Sequence, residues 1–199
     1  MMRVDQKIII PWIEEGARVL DLGCGDGTLL HHLKEERNVE GYGLEIDQLN
    51  IIASINKGVN VIQADLDAGL GKYFEDDTFD YVIMTQTLQA IQRPDHLLQE
   101  MLRIGREGIV TFPNMGHWKS RLQLVLKGSM PVTRSLPYEW YNTPNIHLCT
   151  LGDFEALCKR LNIRILESLV VNYAQQTRAA SRMWPSLLGE IAIYHITRG

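Results

Sequence analysis

The run Arg18-Val-Leu-Asp-Leu-Gly-Cys-Gly-Asp-Gly-Thr28 constrains the fold more than any other stretch of the chain. Val19 to Leu22 is apolar apart from Asp21, so it reads as a short buried strand. Gly23, Gly25 and Gly27 then alternate with Cys24 and Asp26. Alternating glycines let the backbone turn tightly, bring its N–H groups against a ligand and open a helix whose positive end faces that ligand. A nucleotide-like ligand is implied. A dinucleotide site uses the spacing G-x-G-x-x-G, whereas here the third glycine comes one residue early and Thr28 holds the sixth place. The alternative is a strand-to-helix turn whose glycines serve packing alone.

The 199 residues contain no long polar spacer, which predicts one domain over 1–199 with a substantial core. Lys and Arg number 20 against 24 Asp and Glu, a formal charge of −4, and no run of like charge marks a nucleic-acid or membrane surface. Cys24, Cys149 and Cys158 make an odd count without a C-x-x-C pair, which argues against a disulfide framework or structural zinc and for a reducing compartment. No apolar run approaches the ~20 residues of a membrane span, and the first residues do not resemble a signal peptide. The expected address is the cytoplasm.

Along the chain, Asp5 is placed to cap a short helix with Ile8, Ile9, Trp12 and Ile13 on one face, kinked or opened by Pro11. After the glycines, a helix from Thr28 to Glu36 carries Leu29, Leu30 and Leu33. A strand from Val39 to Ile46 then ends in Glu45, close to the ~20-residue offset at which a carboxylate accepts both hydroxyls of a ribose. The plainer role for Glu45 is a solvated strand end. Asp47 or Asn50 opens a helix carrying Leu49, Ile52 and Ile55, and Gly58 closes it before the strand Val59 to Gln63. Asp65 follows at the same sheet edge, as a turn residue or as acceptor for an adenine amine.

Thr78 to Thr85 reads as a fourth strand, Pro94 to Ile104 as an amphipathic helix and Gly108 to Phe112 as a fifth strand. Alternating strands and helices predict an α/β doubly wound parallel sheet, whose ligand site lies at the carboxyl ends of the strands. From Pro113 the periodicity breaks. Residues 113–147 hold four of the seven prolines with Trp118, Tyr138, Trp140 and Tyr141, a long insertion suited to a lid or a docking surface. A helix from Leu151 to Leu161 and strands Ile163 to Val171 and Ile191 to Thr197 complete the pattern. The segment Tyr173 to Pro185, with Arg178, Arg182, Met183 and Trp184, reads as an exposed connection.

Together these motifs resemble the class I S-adenosylmethionine-dependent methyltransferases over essentially the whole chain, a Rossmann-like fold whose last strand is antiparallel. Three runs, Val19 to Leu30, Thr111 to Trp118 and Leu136 to Thr150, resemble more specifically the bacterial methionine biosynthesis protein MetW family. That resemblance implies a protein associated with homoserine O-acyltransferase (MetX-type), the acyl transfer being performed by the partner. It also implies S-adenosylmethionine or S-adenosylhomocysteine as ligand. By motif, Asp21, Gly23 and Gly25, with Cys24 among them, would face the methionyl part. Glu45 would meet the ribose hydroxyls and Asp65 the adenine, and Ile46, Leu66 and Thr85 complete the cofactor-binding candidates.

The departure lies after the fourth strand, where related O-methyltransferases carry a Glu-His pair and this chain has Gln89 and Ala90. Neither is a general base or a choice for a divalent metal, so no metal is expected. His117 and His147 are the remaining acid or base candidates, each with a packing role as alternative. The thiol of Cys24, at a helix N-terminus that would lower its pKa, reads as a packed side chain rather than a nucleophile. Two functions stay open: a ligand-binding partner of the acyltransferase, and a small-molecule methyltransferase in its own right.

Overall fold

The structure is a computed structural model describing residues 2–172 and 183–199. Its centre is a seven-stranded sheet of order β3-β2-β1-β4-β5-β7-β6. The strands are β1 (Arg18–Leu22), β2 (Glu40–Glu45), β3 (Asn60–Gln63), β4 (Phe79–Thr85), β5 (Gly105–Pro113), β6 (Ile163–Val171) and β7 (Ile191–Arg198). β1 to β5 pair in parallel, and β7 runs antiparallel to both β5 and β6. The order reverses between β1 and β4, which opens a crevice at their carboxyl ends. This is the doubly wound α/β sheet with an antiparallel last strand that the sequence predicts.

The period-2 alternation of each strand feeds two cores. Leu20, Leu22, Val82 and Met84 turn to one face and meet α4 (Pro94–Ile104) through Leu97, Leu98 and Met101, and α6 (Leu151–Arg160) through Phe154. Val19, Tyr81, Ile83 and Ile109 turn to the other, against α1 (Val4–Ile9) and α2 (Thr28–Arg37) through Ile9, Leu29 and Leu33. The rings of Phe112, Phe154 and Tyr194 lock β5, α6 and β7 together, with Phe112 and Tyr194 stacked at 5.8 Å. Between β5 and α6 the chain forms α5 (Trp118–Lys127) and otherwise irregular backbone.

One sequence expectation is corrected. Asp5 does not cap α1; Arg3 occupies that place, and Asp5 lies fully buried in the first turn. There it accepts hydrogen bonds from Thr111 Oγ1 at 2.9 Å and Gln86 Nε2 at 3.2 Å, so it ties α1 to the ends of β4 and β5. On α3 (Gln48–Asn56), capped by Asp47 as expected, the stripe of Leu49, Ile52 and Ile55 faces solvent. Buried Ser54 is instead the contact, donating to the Gly25 carbonyl at 2.9 Å. The connection predicted over Tyr173 to Pro185 lies mostly outside the described residues, with Met183 and Trp184 exposed.

β2 lacks a side chain at Gly43 because the glycine loop folds over it: a Cβ there would lie 2.4 Å from Cys24 Sγ. Gly43→Ala is expected to destabilise the protein by about 1–3 kcal/mol in chemical denaturation, the scale of overpacking a buried site. Part of that loss should return in the Cys24→Ala background, which removes the sulfur.

Candidate functional site

The glycine loop adopts the left-handed conformations its sequence permits, with φ of +74° at Gly23, +56° at Gly25 and +72° at Gly27. Gly23 has a second reason, since a Cβ would stand 2.6 Å from Thr87 Oγ1. The loop thereby closes against the exit of β4. The N–H groups of its first three residues are not offered to a ligand as the sequence suggests. Those of Gly23 and Cys24 donate to the Leu44 carbonyl, at 2.8 and 3.1 Å, and that of Gly25 donates to Glu45 Oε2 at 2.8 Å. The loop turns back over the end of β2 and spends its donors there. That arrangement suits a phosphate poorly, because the donors an anion would need already have acceptors.

Glu45 is buried at the carboxyl end of β2. Its Oε1 accepts from the N–H groups of Ile46 and Asp47 at 2.8 and 2.9 Å, while Oε2 accepts only from Gly25. A carboxylate oxygen carries two acceptor positions, so Oε2 retains one. Asp65 uses Oδ1 to cap a short helical turn (Leu66–Ala68). Asp21 differs from both: it is 1% exposed, and neither carboxylate oxygen has a hydrogen-bond partner. Burial pushes its pKa up to about 7, the Arg3 cation opposing and the Glu45 charge adding to the rise.

These groups surround a cavity of about 660 Å³, within the ~300–1,000 Å³ of small-molecule sites. Of the residues singled out from sequence, Gly23, Glu45, Ile46, Asp65 and Leu66 line it, and Asp21, Cys24, Gly25 and Thr85 are not part of that lining. The opposite wall is Arg134, Ser135, Pro137 and Tyr138 from the stretch after β5. Sequence reasoning missed Arg3, Gln86 and Thr87, and took Gln89 only as a lost base. All four line the cavity. Their one signal was position, immediately after β4 for three of them; nothing local marks Arg3.

The Cys24 thiol departs from the expected direction, its pKa pushed up to about 12 by burial with Asp21 and Glu45 adding. A helix N-terminus is outweighed by an apolar, anionic setting. His117 is buried, and that burial lowers its pKa despite the nearby Glu190. His147 is exposed and bonds through Nε2 to the Gln92 carbonyl at 3.2 Å. Neither histidine lines the cavity. Among the described residues no group of three or more His, Cys, Asp or Glu side chains is placed to hold a metal ion, and no helix is long and apolar enough to cross a membrane.

Comparison with known proteins bears on this geometry. The family described as Methionine biosynthesis protein MetW matches residues 3–196. The Bifunctional methionine biosynthesis protein MetXA/MetW of Rhodopirellula baltica is 36% identical over 201 residues; the match covers 96% of this chain and 32% of that relative, so the chain spans about a third of its length. Among solved structures, an S-adenosylmethionine-dependent methyltransferase of Mesorhizobium loti superposes with a TM-score of 0.72 at 16% identity, covering 98% of each chain. A second such methyltransferase, from Aquifex aeolicus, gives 0.66 at 14% identity, covering 98% of this chain and 89% of that one. The cyclase SpnF gives 0.68 at 17% identity, with 97% and 80% covered. At these identities the likeness establishes the methyltransferase fold, which one neighbour uses under the name of a cyclase.

Asp21 generates a prediction. Its folded pKa of about 7 lies above the ordinary 3.8, so the native state holds the proton more tightly than the unfolded chain. That contribution to stability is complete below about pH 4 and is lost as pH rises through about 7. Relative to Asp21→Asn, the ligand-free protein should lose stability by a few kcal/mol at most between those limits. Parallel denaturation profiles of the two proteins across this window would contradict the assignment.

Proposed function

The chain belongs to the MetW family of methionine biosynthesis proteins, and from that premise we propose that it binds S-adenosylmethionine or S-adenosylhomocysteine and associates with a homoserine O-acyltransferase. In this reading the partner performs acyl transfer and the chain supports or regulates it. The observation that carries the ligand is Asp21, a buried carboxylate with no hydrogen-bond partner among the described residues, next to a glycine loop whose Gly23, Cys24 and Gly25 donors already have acceptors. A cationic ligand compensates such a charge, and a dinucleotide's phosphates would oppose it. S-adenosylmethionine brings a sulfonium and an ammonium; when bound it supplies an electrophilic methyl group.

On this reading Glu45 accepts from the ribose hydroxyls through the free position on Oε2, Asp65 receives the adenine amine, and Ile46 with Leu66 flank the ring. The partner is supported by the relative's printed name, which joins MetXA and MetW in one polypeptide. The three cysteines are free, which fits a cytoplasmic setting. After β4 the cavity offers Gln86, Gln89 and Ala90, none of which takes a proton at neutral pH. Methyl transfer by the chain itself would therefore suit an acceptor that arrives already nucleophilic, with positioning as the main aid.

Two measurements test the proposal. In titration calorimetry, Glu45→Ala should weaken S-adenosylmethionine by ~1–3 kcal/mol, the scale of an unpaired buried hydroxyl; no heat for either ligand with the unmutated protein overturns the ligand assignment. Partner affinity should differ by ~1–3 kcal/mol with and without saturating S-adenosylmethionine, since sites that share a surface bias each other reciprocally. Exposed Trp140, beside Tyr141 in the stretch that continues the cavity wall, is the expected anchor. Trp140→Ala should weaken the complex, and equal affinities in both ligand states would remove the coupling.

A further inference from the structure

Helix α5 presents an apolar stripe to solvent. Trp118, Leu122, Val125 and Leu126 stand at the i, i+4, i+7 and i+8 positions that share one helix face. All four are exposed, Val125 to 79% and Leu126 to 73%. The opposite face is the one that meets the protein, through buried Ser120. A helix of ten residues is marginal in water unless an apolar face is packed. Here the apolar face is the one left bare. Such a row of side chains gains free energy from whatever covers it.

A neighbouring turn enlarges this surface. Asn114, fully buried, donates through Nδ2 to the carbonyls of Ser186 and Gly189 at 2.9 and 2.8 Å. Arg121 donates to the Gly116 carbonyl at 2.6 Å and to Ser186 Oγ at 3.3 Å, and Lys119 pairs with Glu190 at 3.9 Å. These bonds seat residues 183–188 against the start of α5. Arg121 shares a cavity of about 410 Å³ with Met183, Trp184 and Leu187, each an exposed apolar side chain. Charge is concentrated here as well. Between Glu107 and Glu139 the sequence holds no Asp or Glu, yet it holds Lys119, Arg121, Lys127 and Arg134, in a chain whose formal charge is −4. By helical position Lys119 and Arg121 border the stripe on its two sides, and Lys127 closes its end.

We propose that this face is where the homoserine O-acyltransferase docks, through an apolar groove rimmed by Asp and Glu side chains that takes α5 by its stripe. The proposal rests on the association proposed above for the identity of the partner, and adds the surface and the chemistry that recognises it. Charge decides among the occupants. A second copy of the chain would set cation-bordered helices against each other, a juxtaposition that costs free energy. An anionic bilayer would attract α5 while repelling the rest of the surface, which leaves the whole chain at −4 in spite of these cations. An acid-rimmed protein groove matches the stripe and its border together, and Trp and Arg side chains are those on which interface energies concentrate.

The test uses the full chain and the purified acyltransferase of the same cells, with affinity read by biolayer interferometry at low and high salt. Val125→Gln with Leu126→Gln removes the stripe without adding charge, and Lys119→Glu with Lys127→Glu reverses its border. Circular dichroism and thermal melting serve as folding controls. The glutamine pair should weaken the complex by about tenfold or more at either salt. The glutamate pair should weaken it by about tenfold or more at low salt, and the loss should shrink at high salt as screening sets in. A folded variant of either kind that binds as tightly as the unmutated chain overturns the docking face and leaves the association standing. Absence of binding by the unmutated chain overturns the association, and this proposal with it. Sedimentation of the chain alone and with phosphatidylglycerol vesicles examines the other occupants. Self-association or vesicle binding that both variants abolish, with acyltransferase affinity unchanged, overturns the acyltransferase as the occupant.

Discussion

The Glu45 carboxylate is the joint on which the rest of the site depends. It gathers the N–H groups of Gly25, Ile46 and Asp47, so one side chain fixes both the glycine loop after β1 and the turn that starts α3. Charge-assisted bonds of this kind are about twice as strong as neutral ones. With Gly23 and Cys24 bonded to the Leu44 carbonyl and Gly23 pressed against Thr87, the loop is held from β2 and from β4 at once. The crevice that reversal of strand order opens in any doubly wound sheet becomes here a defined cavity.

Much of this architecture is legible in the sequence because its causes are local. The continuous apolar run of Phe79 to Thr85 and the helical spacing of Leu97, Leu98 and Met101 each favour one local conformation, the glycine run permits left-handed turns that other residues resist, and the structure uses all three. What the sequence hides is carried by contacts between distant residues. Asp5 looks like a helix cap because acidic residues favour first turns. Its true partners, Gln86 and Thr111, meet it only once β4 and β5 lie side by side under α1. Arg3 and Gln89 reach the cavity by the same route. The stripe on α3 shows a different limit, since helical periodicity identifies an apolar face without saying what covers it.

Exposed apolar side chains occur on several elements, and two sets belong to stretches that also supply the cavity wall. Ile46 is a wall residue, and Leu49 and Ile52 follow it, exposed, on α3. Tyr138 lines the other side, with Trp140 and Tyr141 following it in the chain. Contiguous exposed apolar surface is uncommon on proteins that act alone, and aromatic side chains are the ones that dominate interfaces. The proposed ligand and the proposed partner thus meet at one rim.

That meeting gives Asp21 a consequence beyond ligand affinity. A carboxylate buried without a hydrogen-bond donor makes its surroundings less stable when ionised, and here the surroundings are the glycine loop and the exit of β1. A cation brought near relieves that cost and stabilises the loop in proportion. The loop in turn is tied through Glu45 to Ile46 and the start of α3, and through Thr87 to the segment that carries Gln89 and, by its carbonyl, Ile146 and His147. Ile46, by a hydrogen bond, and Thr87, by close contact, are therefore both tied to the loop whose stability depends on the charge placed near Asp21. A neutral thioether such as S-adenosylhomocysteine would fill the same volume while compensating Asp21 less than a sulfonium. On the proposed function, the two ligands would differ in how far they stabilise the loop, without any change in which residues touch them.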